Sequence, residues 1–230
     1  MTNRREFLLG TAALAGAAGL GARAESKKTA PEGPARLKFA AFSDIHVTGR
    51  DSTQANWEKG LRKADAWGAD AVLVCGDLAD YGLDVQMEAV AETWFKVFPD
   101  GKRSDGQPVA NLLHYGDHDT SGYTYRGCPP CKEAWPDEDE MKKHILRYID
   151  RKAVWERCFK EPWAPIVKKT VKGYDFIISH FTKGEKGNEE GNNVPGLAEF
   201  MAQAGLDPKR PFFYSQHRIP RNTAAGPYAW

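Results

Sequence analysis

The alternation of apolar runs and helical patterns along this chain predicts an α/β fold built on a parallel sheet. Three apolar runs, 37–42, 71–75 and 109–115, read as strands, and the two stretches between them carry apolar residues at helical spacing. Such a β-α-β-α-β layout calls for right-handed crossovers. The third observation concerns the strand ends. Asp44 and His46 follow the first run, Gly76-Asp77 the second, and Gly116-Asp117-His118-Asp119 the third. All are residue types that ligate metals, and they fall at the carboxyl edge of the sheet, where open α/β proteins place their sites. Continuation of the first strand to His46 would put the Asp44 and His46 side chains on one face.

The chain has 230 residues, 41% of them hydrophobic, and a formal net charge of +1. That is one ordinary domain with room for a full core, and the charge gives no sign of a nucleic-acid-binding surface. The seven Trp and eight Tyr are expected in the core and along loops.

Residues 1–24 read as an address. Arg4-Arg5 precede Phe7-Leu8-Leu9, a weakly apolar run follows, and Ala22-Arg23-Ala24 closes it. The segment resembles a twin-arginine export signal with its cleavage site, which implies the twin-arginine translocation machinery as a partner and a periplasmic or secreted destination. The apolar run is short, rich in Gly and without a stop-transfer pattern, so no stable membrane span is expected. Residues 25–36, polar and broken by Pro and Gly, read as a linker, and the catalytic domain is expected over 37–230.

Within that domain, Trp57, Leu61, Ala64 and Ala66 or Trp67 mark a helix over 53–67, and Met87, Val90, Ala91, Trp94 and Val97 or Phe98 mark one over 85–98. Ala71 to Cys75 is apolar without alternation, as suits a central parallel strand covered on both faces. Residues 120–139 form a long connection rich in Gly, Pro and Cys. A helix over 139–159 is expected to bury Met141, Ile145, Tyr148, Ile149 and Trp155. The runs 166–171 and 174–180, joined by Lys172-Gly173, read as an antiparallel hairpin. A polar loop over 183–195, a short helix over 197–204 and a strand over 211–217 complete the chain.

Asp44-x-His46, Gly76-Asp77, Gly116-Asp117-His118-Asp119 and Gln216-His217, in that order, resemble the calcineurin-like metallophosphoesterase family. The resemblance runs from Leu37 to the end of the chain and implies two stacked mixed β-sheets flanked by helices. It implies two divalent or transition metal ions bridged by Asp77, the first also held by Asp44 and His46, the second by Asp117 and His217. Carboxylate and imidazole donors suit Fe, Mn or Zn alike. Metal-bound hydroxide would attack a phosphoester directly, since two ions offset the negative charge that protects such esters. His118 would give a proton to the leaving oxygen, and Asp119 would orient its ring. The substrate implied is a phosphorylated small molecule or other phosphoester.

The chain departs from the family pattern twice. Asp117 stands where the family usually has Asn, which adds a negative charge beside an anionic substrate. A final G-H-x-H motif is not present before Trp230, so the catalytic domain is expected to be truncated, and a non-catalytic metal- or phosphate-binding remnant is the alternative. Arg218, next to His217, could contact phosphate or sit in solvent. His114 and His180 are expected to be structural, and Cys75 and Cys158 to be buried thiols. Cys128-Pro129-Pro130-Cys131 suggests a disulfide pinning its loop; a redox-active dithiol is the competing reading.

Overall fold

The computed structural model describes residues 37–49, 51–120, 133–182 and 194–218. The export-signal stretch, the linker and the Cys128–Cys131 pair lie outside the described residues.

Strands β1 (Phe39–Phe42), β2 (Ala71–Cys75) and β3 (Ala110–His114) form a parallel sheet in the order β1-β2-β3. The strand with the unbroken apolar run is therefore the central one, as its composition demands. Helices α1 (Asp51–Trp67) and α2 (Asp84–Val97) connect these strands. Trp57, Leu61 and Ala64 share one core with Met87, Val90, Ala91, Trp94 and Phe98, and the Trp57 indole donates to the Val90 carbonyl at 3.2 Å. The α1 stripe stops at Ala64. Trp67 is exposed, with the Lys38 ammonium 5.8 Å from its ring centroid.

A second sheet holds β4 (Ile166–Val171), β5 (Tyr174–Ser179) and β6 (Phe213–Gln216), with β4 antiparallel and β6 parallel to β5. Lys172 and Gly173 turn the hairpin with φ of 52° and 80°, the left-handed pair that matches strand twist in a two-residue turn. The two sheets stack. Ala71, Leu73 and Leu112 on one face of the parallel sheet meet Val171, Phe176 and Ile178, while Val72, Val74 and Leu113 on its other face join the helical core, as period-2 alternation requires. Phe39 is edge-on to Phe176 at 5.4 Å and to Phe213 at 5.1 Å. Only the second sheet is mixed; the first is parallel throughout its described strands.

The helix expected over 139–159 is two helices after a short α3 (Asp117–Thr120): α4 (Glu138–Lys142) and α5 (Arg151–Phe159). Between them the backbone makes local turns and bonds to residues 82–84 in place of a continuous helical ladder. Asp84 N–H donates to the His144 carbonyl and Leu146 N–H to the Gly82 carbonyl, at 2.9 and 2.8 Å. Asp150 then caps α5 by accepting from Lys152 and Ala153. Met141, Ile145 and Leu83 close a satellite core, whereas Tyr148 is exposed. Helix α6 (Leu197–Gln203) precedes β6.

His114 and His180 join the sheets as neutral donors and acceptors, both buried. His114 Nδ1–H donates to the Tyr115 carbonyl at 3.3 Å, its Nε2 accepts from Ser215 Oγ at 2.8 Å, and His180 Nδ1 accepts from Tyr115 N–H at 3.1 Å. Cys158 is buried as expected, but Cys75 is only half-buried, with Sγ 3.5 Å from Ser215 Oγ. Burial pushes His114 down from 6.5 to about 4 and His180 well below its usual value. The folded state therefore refuses protons that the unfolded chain accepts. This stability is fully present above the unfolded pKa and is lost as pH falls from 6.5 toward 4, His114 alone contributing about 3 kcal/mol of the loss. Urea midpoints should fall over that range, and His114→Gln, which keeps a hydrogen-bonding side chain, should flatten the fall; an unchanged pH slope in the variant would count against this account.

Candidate metal centre

The centre is built where the three parallel strands end. The β1 end does not continue as a strand: Asp44 and His46 take φ of 54° and 41°, and Asp77 beyond β2 takes 53°. Left-handed backbone, not strand alternation, aims these side chains inward. The strain of about 1 kcal/mol or more per residue is held by a ladder between the two loops. Asp44 N–H donates to the Gly76 carbonyl at 3.2 Å, His46 N–H to Asp77 at 3.0 Å and Val47 N–H to Leu78 at 2.8 Å.

Two glycines let the third loop and β6 close in. A Cβ on Gly76 would lie 2.5 Å from the His217 ring, and one on Gly116 would lie 2.3 Å from the Asp77 backbone nitrogen and 2.2 Å from its Oδ1. No other residue fits at either position.

Three histidines converge with their outer nitrogens already engaged. His46 Nδ1–H donates to Asp80 Oδ1 at 3.0 Å, His118 Nδ1–H to the Asp80 carbonyl at 2.8 Å and His217 Nδ1–H to the Cys75 carbonyl at 2.8 Å. Each Nε2 is thereby left for the centre, the arrangement that metal-binding histidines adopt. His46 Nε2 lies 3.8 Å from Asp44 Oδ1 and 3.6 Å from Asp77 Oδ2. His217 Nε2 lies 3.3 Å from Asp77 Oδ1 and 2.8 Å from Asp117 Oδ1. Asp77, 3% exposed, thus turns one oxygen toward each side, and Oδ1 also accepts from His118 N–H at 3.0 Å.

The electrostatics show a site short of positive charge. Burial raises Asp77 against the pull of the His217 cation. Burial would lower His217, but its hydrogen bond to Asp117 and the Asp77 charge outweigh that and lift it to about 9. The bond to His217, helped by the Arg218 charge, holds the Asp117 carboxyl well below the usual range despite burial. Here a proton on His217 does what a bound cation would do.

Two sets of donor atoms, each within 4.8 Å of one another, suit a metal ion: His46, Asp77 and His118, and Asp44, Asp77 and His217. Nitrogen and carboxylate donors around a carboxylate common to both sets fit a divalent cation. Asp44, His46, Asp77, Asp117, His118 and His217 are all brought together, though Asp117 is in neither set and the others divide differently from the sets that the resemblance implies. His118, expected as the proton donor, sits in the first set, and Asp117 has both oxygens engaged by His217 and Arg218.

Asp119 does not orient His118. Its carboxylate, fully buried, accepts from Leu78, Ala79 and Gly116 N–H at 3.1, 2.7 and 2.7 Å, buckling the second loop to the third. Burial pushes it up to about 7. The carbonyl of Asp80 orients His118 instead, and the Asp80 side chain orients His46. Asp80 escaped the sequence reading, although a carboxylate three residues after Asp77 in one turn could have flagged it.

The model of the calcineurin-like phosphoesterase family matches residues 37–211, well over half of the chain. The chain belongs to this family. It is accordingly a metal-dependent phosphoester hydrolase with the fold of that family. Among solved structures, one described as a novel archaeal phosphodiesterase is 14% identical, covers 74% of this chain and 68% of its own, and has a TM-score of 0.31. A search of curated proteins gives no match.

Since Asp119 satisfies three buried N–H groups of this calcineurin-like centre, Asp119→Ala should cost more than about 3 kcal/mol in urea unfolding. Asp119→Asn, which keeps an acceptor, should cost clearly less. Equal stabilities of the two variants would remove the buckle from the account.

Proposed function

We propose that this protein is an exported phosphoesterase with a dinuclear metal centre bridged by Asp77. The observation that carries the reading is the placement of the two Asp77 oxygens, one toward His46 and one toward His217. His118 and Asp44 also fall within reach in the alternative sets, but the direct approaches of His46 Nε2 to Asp44 and Asp77 and of His217 Nε2 to Asp77 and Asp117 support a first ion that would rest on Asp44, His46 and Asp77 and a second that would rest on Asp77, Asp117 and His217, with Fe, Mn and Zn all compatible. When bound, such ions supply Lewis acidity toward phosphoryl oxygens and an acidified water as nucleophile.

The chain's own residues do the rest. Asp80 holds His46 and His118 with Nδ1 outward, so that His118 can hold a proton on Nε2 and pass it to the leaving oxygen. Gly76 and Gly116 admit the close approach of His217 and Asp77. The substrate is a phosphoester, and mono- and diesters both suit the chemistry. Export is supported by Arg4-Arg5 and Ala22-Arg23-Ala24, which would deliver the folded, metal-loaded protein through the twin-arginine machinery to the periplasm or beyond.

Chelation should abolish hydrolysis of an aryl phosphate or its diester, and re-addition of Mn²⁺ or Zn²⁺ should restore it; full turnover in a verified metal-free sample would overturn the reading. His118→Gln should keep its metal content while turnover drops about 10²- to 10⁴-fold. If metal is lost instead, His118 is a ligand, as its place beside His46 and Asp77 would allow. Arg4→Lys with Arg5→Lys should leave the precursor in the cytoplasm, detected by fractionation.

A further inference from the structure

Arg218 is partly buried, its side chain 28% exposed. Its Nη2–H donates to Asp117 Oδ2 at 2.5 Å, and the guanidinium carbon stands 5.7 Å from the centroid of the Phe181 ring. Its backbone carbonyl accepts from the Gln216 side chain. Phe181 is buried, and its own backbone is tied to β3 by an N–H bond to the Tyr115 carbonyl at 3.0 Å. The guanidinium therefore has a rigid wall on one face and a carboxylate at its end. Nε of Arg218 is buried and has no hydrogen-bond partner among the described residues. A planar donor fork normally spends such a group, so the side chain is placed by Asp117 and Phe181 at the cost of an unmade bond.

The partner carboxylate is divided in two. Asp117 Oδ2 is taken by Arg218, and Oδ1 lies 2.8 Å from His217 Nε2, which in turn is 3.3 Å from Asp77 Oδ1. Arg218 thus turns the Asp117 carboxylate so that its other oxygen lies against His217 Nε2, next to the set formed by Asp44, Asp77 and His217, and it cancels the charge that Asp117 would present to an anion. We propose that Arg218 is a positioning residue that acts through Asp117, fixing it as a metal ligand and making it tolerable beside a phosphoester. The proposal rests on the dinuclear reading above. It adds to that reading a residue outside the ligand set that governs both metal affinity and substrate charge.

The test is a four-variant cycle on the full chain: wild type, Arg218→Gln, Asp117→Asn and the double variant, each titrated with Mn²⁺ by calorimetry. Removing a group that orients a ligand typically weakens metal binding about 10- to 100-fold, so Arg218→Gln should do so while Asp117 is present. With Asn at 117 the same change should have less than about a third of that effect, because the amide gives Arg218 no charge to hold. Arg218→Lys, which keeps the charge, should recover part of the affinity and serves if the Gln variant folds poorly. In turnover, Arg218→Gln should raise KM for an anionic phosphoester more than it lowers kcat. An unchanged Mn²⁺ affinity, or an equal loss with Asp and with Asn at 117, would overturn the proposal, the latter showing that Arg218 works independently of Asp117. Should no variant turn over any phosphoester, the enzymatic reading fails while the Mn²⁺ cycle still decides the role of Arg218.

Discussion

A buried carboxylate in need of positive charge organises this molecule. Asp77 sits at the end of the central strand, almost without exposure, and an ion in that position is costly unless cations or hydrogen bonds meet it. Every nearby feature answers that requirement. Gly116 leaves room for its carboxylate, His118 N–H bonds to it, and His46 and His217 face its two oxygens. Asp44 and Asp117 then add negative charge where it is already in excess, which makes sense in a pocket meant for cations and in little else.

The two sheets contribute unequally. The parallel sheet supplies three loops from consecutive strands, so Asp44, Asp77 and Asp117 arrive by local chain geometry. His217 comes from the other sheet, and its place depends on the packing of Phe39 against Phe176 and Phe213 and on the buried histidines that tie β3 to β5 and β6. A hydrophobic interface with polar pins holds register better than either alone, because apolar contacts tolerate sliding and paired hydrogen bonds do not. The centre is accordingly as accurate as the stacking behind it.

Much of this could be read in the sequence. The parallel order followed from an unalternated apolar run at Ala71 to Cys75, and most residues gathered at the centre stand in short motifs after the strands. What escaped was whatever depended on backbone detail. The Asp44 and His46 side chains share a site through left-handed φ, which no alternation rule foretells. The helix over 139–159 broke because residues 144–146 found backbone partners at 82–84, a tertiary choice that outweighs a helical pattern. The family resemblance implied an orienting role for Asp119, but a short helix turns its side chain away from that of His118, and buried N–H groups claimed it. Asp80 and Arg218 have roles only through distant partners.

The left-handed residues of the centre also bear on how this protein would respond to selection. Glycine at position 44, 46 or 77 would relax a strained backbone and, at 77, remove a buried charge, so each change offers stability in exchange for a donor atom. Thermostability and activity are therefore opposed at the same few positions, as happens where function requires unfavourable local structure. Laboratory evolution that rewarded resistance to heat alone would drift toward a sturdier fold with an emptied centre.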